Sequence, residues 1–122
     1  MVLVDTSVWI DHLRRADPHL QQLLLSQKVL AHPFVTGELS LGNLSRRDAI
    51  LGALNNLPSA ILARENEVQK LITSQALFGL GIGYIDAHLL ASAQLTPHAS
   101  LWTRDKRLAR IAEQLSLAWL GK

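Results

Sequence analysis

The chain contains no cysteine, which excludes disulfides, thiolate metal sites and cysteine nucleophiles together. Aromatic residues are only 5% of its 122 residues, too few to read as an interleaved stacking platform for single-stranded nucleic acid. No apolar run approaches the roughly 18 residues of a membrane span, and no basic segment precedes the first apolar run as it would in a cleaved signal. Repeats, low-complexity tracts and linkers are also missing. Neither sign of charge dominates: 12 Lys and Arg against 10 Asp and Glu leave a formal net charge of +2. The sequence pI of about 9.4 leaves room for a weakly basic face and an anionic partner. These absences lead to the expectation of a soluble, cytoplasmic protein with no membrane partner, a single domain over residues 1–122.

What is present is a core-forming composition, 48% hydrophobic and 18% charged. Five short apolar runs stand out: "VLV" at 2–4, "VLA" at 29–31, "AIL" at 60–62, "ASLW" at 99–102 and "LAWL" at 117–120. They are continuous rather than alternating, as in parallel strands buried on both faces. Helix-like stretches separate them. Pro18 suits a first helical position, and Ser45 with Asp48 has capping-box spacing. The fold class expected is α/β, a three-layer α/β/α sandwich around a mainly parallel sheet of about five strands. In such sheets ligands bind beyond the carboxyl ends of the strands.

The stretch "VLVDTS" places Asp5 at the end of the first such run. Asp5 either caps the following helix or belongs to a site assembled at strand ends. The other acids bear on the choice. Asp11 projects beside Arg14 and Arg15 as a solvated partner, Asp17 precedes a proline, and Asp48 closes a cap. Glu65, Glu67 and Glu113 read as exposed helix residues. Glu38 differs: at about 100° per residue, Phe34, Val35, Leu41 and Gly42 share its arc, so its carboxylate is expected to point with the apolar face. Asp86 lies on the side of Leu89, Leu90 and Ala93. Asp105 follows "ASLW" and opens a helix, where it could also serve as a cap. Asp5, Glu38, Asp86 and Asp105 are therefore expected at one sheet edge. Two carboxylates about 4 Å apart repel by roughly 4 kcal/mol at an effective dielectric near 20, so the cluster calls for a cation. An all-oxygen donor set suits Mg²⁺ or Mn²⁺ over Zn²⁺.

"VLVDTSVWIDHL", "HPFVTGELSLGNL" and "GIGYIDAHLLASAQLTPHASLWTRDKRL" together resemble the PIN-domain ribonucleases, specifically the VapC-type toxins of type II toxin–antitoxin pairs. The resemblance implies a Mg²⁺-dependent endoribonuclease, with Mn²⁺ a possible substitute. By motif, the catalytic acids are Asp5, Glu38, Asp86 and Asp105, of which Asp5, Asp86 and Asp105 hold the metal. Glu38 is left to orient or deprotonate the attacking water, or to hold a second ion. Ser7 and Thr103 match hydroxyls that fix carboxylate orientation. The partners implied are an RNA substrate, a cognate VapB-type antitoxin and a second copy of the chain in a homodimer. Arg104, Lys106 and Arg107, around Asp105, are candidates to meet phosphates.

Rival motifs are weaker. "GLGIGY" lacks dinucleotide-fingerprint spacing, none of the five histidines has zinc-helix spacing, and no nucleophile elbow is present. A phosphoryl-receiver module needs an acidic pair after the first strand, an Asp after a central strand and a late lysine. This chain offers one Asp after the first strand, none in "AILAR", and in "LAWLGK" a lysine only at position 122. A PIN fold serving as a binding scaffold without turnover is the second alternative.

Overall fold

The computed structural model describes residues 1–121, and Lys122 lies outside them. Among the described residues the chain forms three strands and seven helices. In order these are β1 (Val2–Val4), α1 (Thr6–Arg14), α2 (Pro18–Leu25), β2 (Val29–Leu30) and α3 (Pro33–Ser40). There follow α4 (Arg47–Asn55), α5 (Glu65–Ser74), α6 (Tyr84–Leu95), β3 (Ser100–Trp102) and α7 (Lys106–Gln114). The sheet order is β2-β1-β3, all parallel, with Leu3 opposite Leu30 on one side and Leu101 on the other. Val2, Leu3 and Val4 are all buried although successive side chains point to opposite faces, so the sheet is covered on both.

The expected sheet of about five strands is corrected to three. The "AIL" and "LAWL" runs reach the sheet only as single parallel bridges, Ser59 to Ala31 and Ala118 to Leu101. Their partners are too short to carry more. β2 has two residues before Pro33 opens α3, and β3 has three before the chain turns toward α7. Ile61 and Leu62 are consequently exposed rather than sheet core.

Local signals account for most helix starts. Asp17 caps α2, accepting the N–H groups of His19 and Leu20 ahead of Pro18 at the first helical position. The capping box expected at Ser45 and Asp48 is not formed: α4 begins after Arg46, which adopts φ 52° and makes no side-chain cap bond. Reach-back bonds occur elsewhere, from Glu67 to the Arg64 N–H and from Asp86 to the Gly83 N–H. Helix α6 is buried continuously from Ala87 to Ala93, as suits a central helix, with His88 and Ser92 the polar residues among them. It packs on β3 together with α7, while α1, α3 and α4 form a neighbouring group. One apolar cluster, from Val2 to Leu117, joins the sheet to α1–α7. Among the described residues no helix is long and apolar enough to cross a membrane.

Candidate active site

Asp5 follows the central strand at the carboxyl edge of the sheet, only 7% exposed, with its N–H bonded to the Trp102 carbonyl of β3. Its two oxygens divide the work. Oδ1 accepts the Thr6 N–H at 2.8 Å and starts α1. Oδ2 accepts the Ser7 hydroxyl at 2.9 Å and the Thr103 hydroxyl at 2.7 Å. The capping reading of "VLVDTS" is met by Oδ1, which leaves Oδ2 to the two hydroxyls. Thr103 also accepts the Asp105 N–H at 3.1 Å, and Ser7 accepts the Arg104 N–H at 3.0 Å, so two hydroxyls tie the end of β1 to the turn after β3.

The other acids show the same division. Asp105 caps α7 with Oδ1, which accepts the N–H groups of Arg107 and Leu108. Asp86 uses Oδ2 for the Gly83 N–H. Glu38 is exposed, not turned in with an apolar face as the sequence suggested. The helix α3 ends at Ser40, so Leu41 and Gly42 do not continue its arc, and Leu41 is 89% exposed. Glu38 instead reaches α1, where Oε1 accepts the Thr6 hydroxyl at 2.6 Å. The sequence did not show Thr6 as a partner of Glu38, although a hydroxyl beside Asp5 was the available signal. Among the described residues, Asp86 Oδ1, Asp105 Oδ2 and Glu38 Oε2 accept no hydrogen bond.

The carboxyl of Asp86 is pushed up by burial and by the negative fields of Asp5, Asp105 and Glu38, against the Gly83 N–H that favours its charge. Four acids from four elements therefore act on one locality. Among the described residues, no three Asp, Glu or His side chains close on a common point at ligand spacing. Their chemistry nonetheless fits a hard divalent ion: the donors are all oxygen, three are uncommitted, and their mutual repulsion is what a cation relieves.

The PIN-domain model matches residues 2–114. The chain belongs to the PIN-domain family. Two curated relatives named Ribonuclease VapC32, from Mycobacterium tuberculosis strains CDC 1551 / Oshkosh and ATCC 25618 / H37Rv, are each 45% identical over 118 residues. The match covers 97% of this chain and 95% of each relative. No solved structure matches the chain.

In this PIN domain the cations near Asp105 are unequal. Arg104 is held by acids: Nε lies 2.8 Å from Asp11 and Nη2 2.8 Å from Asp17, with the guanidinium 5.8 Å from the Trp102 ring. Asp11 thus pairs with Arg104 and not with Arg14 or Arg15, and Asp17 is more than a residue before a proline. Burial raises the Asp17 carboxyl, but the Leu20 and His19 N–H groups and Arg104 outweigh this and hold it below its ordinary value. Lys106 is exposed and has no ion-pair partner among the described residues. Arg107 lies over Gly81, where a Cβ would come within 2.8 Å of its Nη1. Gly81 has φ +82°, so the turn into α6 requires glycine in the "GLGIG" stretch for backbone and space alike.

A further group escaped sequence reasoning. His32, 2% exposed, caps α3 by accepting the Phe34 N–H at Nδ1, which leaves Nε2 to donate to the Ser92 hydroxyl at 3.1 Å. Burial, with the neighbouring His88, lowers its pKa to about 4, so it stays neutral at pH 7. The His88 ring sits between Phe34 and Tyr84. These contacts join α3, which carries Glu38, to α6, which carries Asp86.

Proposed function

We propose that the protein is a Mg²⁺-dependent endoribonuclease that hydrolyses RNA phosphodiester bonds as the toxin of a toxin–antitoxin pair. It acts as a homodimer and is neutralised by a cognate VapB-type antitoxin. The supporting observation is that Asp86 lies within the negative fields of Asp5, Asp105 and Glu38, in a chain 45% identical to proteins named Ribonuclease VapC32. Asp5, Asp86 and Asp105 would hold the ion, with Mn²⁺ as a substitute. Once bound, the ion supplies positive charge to the phosphate and lowers the pKa of water.

The chain's own groups do the rest. Glu38, oriented by the Thr6 hydroxyl, accepts a proton from the attacking water. The water oxygen bonds to phosphorus as the bond to the 3′ oxygen breaks, and that oxygen takes a proton from solvent, leaving a 5′-phosphate and a 3′-hydroxyl. Ser7 and Thr103 hold the Asp5 carboxylate against rotation. Lys106 and Arg107 meet the flanking phosphates, a role less open to Arg104 while two carboxylates hold it. All four acids are present, which favours turnover over a scaffold role.

The test is RNA cleavage with Mg²⁺ by native protein and Asp5→Asn, with the ends of the products mapped. Native protein should cut and leave 5′-phosphates, whereas Asp5→Asn should be folded and inactive. Undiminished cleavage by Asp5→Asn would refute the site, and no cleavage by native protein would refute the activity.

A further inference from the structure

Beside the acids, α1, α3, α4 and the loop after α3 enclose a cavity of about 420 Å³ with Glu38 on its rim. That volume falls in the range of small-ligand clefts. Its walls are aliphatic, from Ile10, Leu39, Leu44 and Ile50, and its polar groups are of a different kind from the acids. Arg14 offers a planar guanidinium, and Asn43 a carboxamide with both a donor and an acceptor edge. Neither side chain makes an ion pair or hydrogen bond among the described residues.

We infer that this cavity binds one nucleobase of the RNA, that of a nucleotide flanking the phosphate held at the acids. The inference rests on the ribonuclease reading and adds to it a place where sequence is read. Apolar walls can cover the faces of a base, and an arginine plane can stack on one. The Asn43 carboxamide can pair with a base edge and discriminate among the four. The charge of the adjoining chain has the right sign for the phosphates on either side: Arg14 and Arg15 end α1, and Arg46 precedes α4, with Asp11 already paired to Arg104. Glu38 spans the cavity rim and the acid group, so base and scissile phosphate belong to neighbouring units of one strand.

The experiment is an NMR titration of the full-length protein in EDTA with AMP, GMP, CMP and UMP separately. It follows the Asn43 side-chain amide and the methyl groups of Ile10, Leu39 and Ile50. Saturable shifts are expected, with the best nucleotide preferred by about tenfold over the worst. Asn43→Ala should reduce that preference to within about twofold, whereas Arg14→Ala should weaken all four nucleotides alike. In parallel, cleavage of random-sequence RNA by Asn43→Ala should lose the base bias at one position beside the cut and keep it elsewhere. If no nucleotide moves these signals, or the preference survives Asn43→Ala, the inference is wrong whether or not the protein cuts RNA, and the cavity is left to an apolar side chain of a protein partner. Base-selective shifts without any cleavage would keep the cavity as a nucleotide site and remove the ribonuclease reading.

Discussion

Replacing Thr103 by valine keeps the outline of the side chain and removes its hydroxyl. That oxygen donates to Asp5 Oδ2 at 2.7 Å and accepts the Asp105 N–H at 3.1 Å, so two bonds go at once. Asp5 is 7% exposed, which limits the water that could take over. A hydrogen bond to a charged group contributes about 1.5–3 kcal/mol, and the Asp105 N–H, nearer solvent, adds less. The expected loss is about 2–3 kcal/mol in urea unfolding with EDTA present, read as a lower midpoint at unchanged slope. Cleavage should fall by about 10–100-fold, the usual effect of freeing a metal-binding carboxylate from its orienting partner. Ser7→Ala removes a 2.9 Å bond to the same oxygen, and the two hydroxyls are 3.4 Å apart. The double variant should therefore depart from additivity by about 0.5 kcal/mol or more. A Thr103→Val protein within about 0.5 kcal/mol of native and equally active would refute the role given to this hydroxyl.

Three other perturbations test separate parts of the structure. Asp86→Asn keeps an acceptor for the Gly83 N–H but removes a charge opposed by burial and three acids, so in EDTA at pH 7 its Tm should exceed the native value. Mg²⁺ should raise the native Tm and leave that of the variant nearly unchanged; a variant Tm below native in EDTA counts against the cluster. His32 is held neutral, its pKa lowered from 6.5 to about 4, so its contribution is complete above pH 6.5 and is lost as pH falls from 6.5 toward 4. At about 1.4 kcal/mol per pH unit the loss is on the order of 3 kcal/mol, measured as the difference between native and His32→Asn urea stabilities from pH 4 to 7.5; a pH-independent difference would contradict it. Gly81→Ala forces φ +82° on a residue with a Cβ and crowds Arg107, and should cost about 1–2 kcal/mol by thermal unfolding. Gly79→Ala, at φ +73° with nothing within 4 Å, carries the strain alone, so equal losses would dismiss the Arg107 contact.

Particular elements show where the sequence was informative. The runs at 2–4, 29–31 and 99–102 supplied the parallel strands β1, β2 and β3, and Pro18 behind Asp17 opened α2. The runs at 60–62 and 117–120 look similar in one dimension. Whether a run becomes a strand also depends on the length of the neighbour it must pair with, and only single bridges were left. The helical-wheel reading of Glu38 failed for a related reason: it continued the helix past Ser40, where the backbone no longer follows it. Asp11 and Asp17 were read from their sequence neighbours, while their guanidinium partner is supplied by Arg104, 87 residues beyond Asp17.

By itself the sequence determined the class of fold and the start of α2 and singled out four acids as candidates, because apolar patterning, proline geometry and motif are local properties. Only the tertiary structure decided which oxygens cap helices and which stay uncommitted, that Thr6 serves Glu38, that Arg104 is occupied by acids, and that a buried neutral histidine joins α3 to α6. Those outcomes depend on distances between segments up to 98 residues apart, as between Asp5 and Thr103, and a linear pattern does not encode such distances until the core has packed.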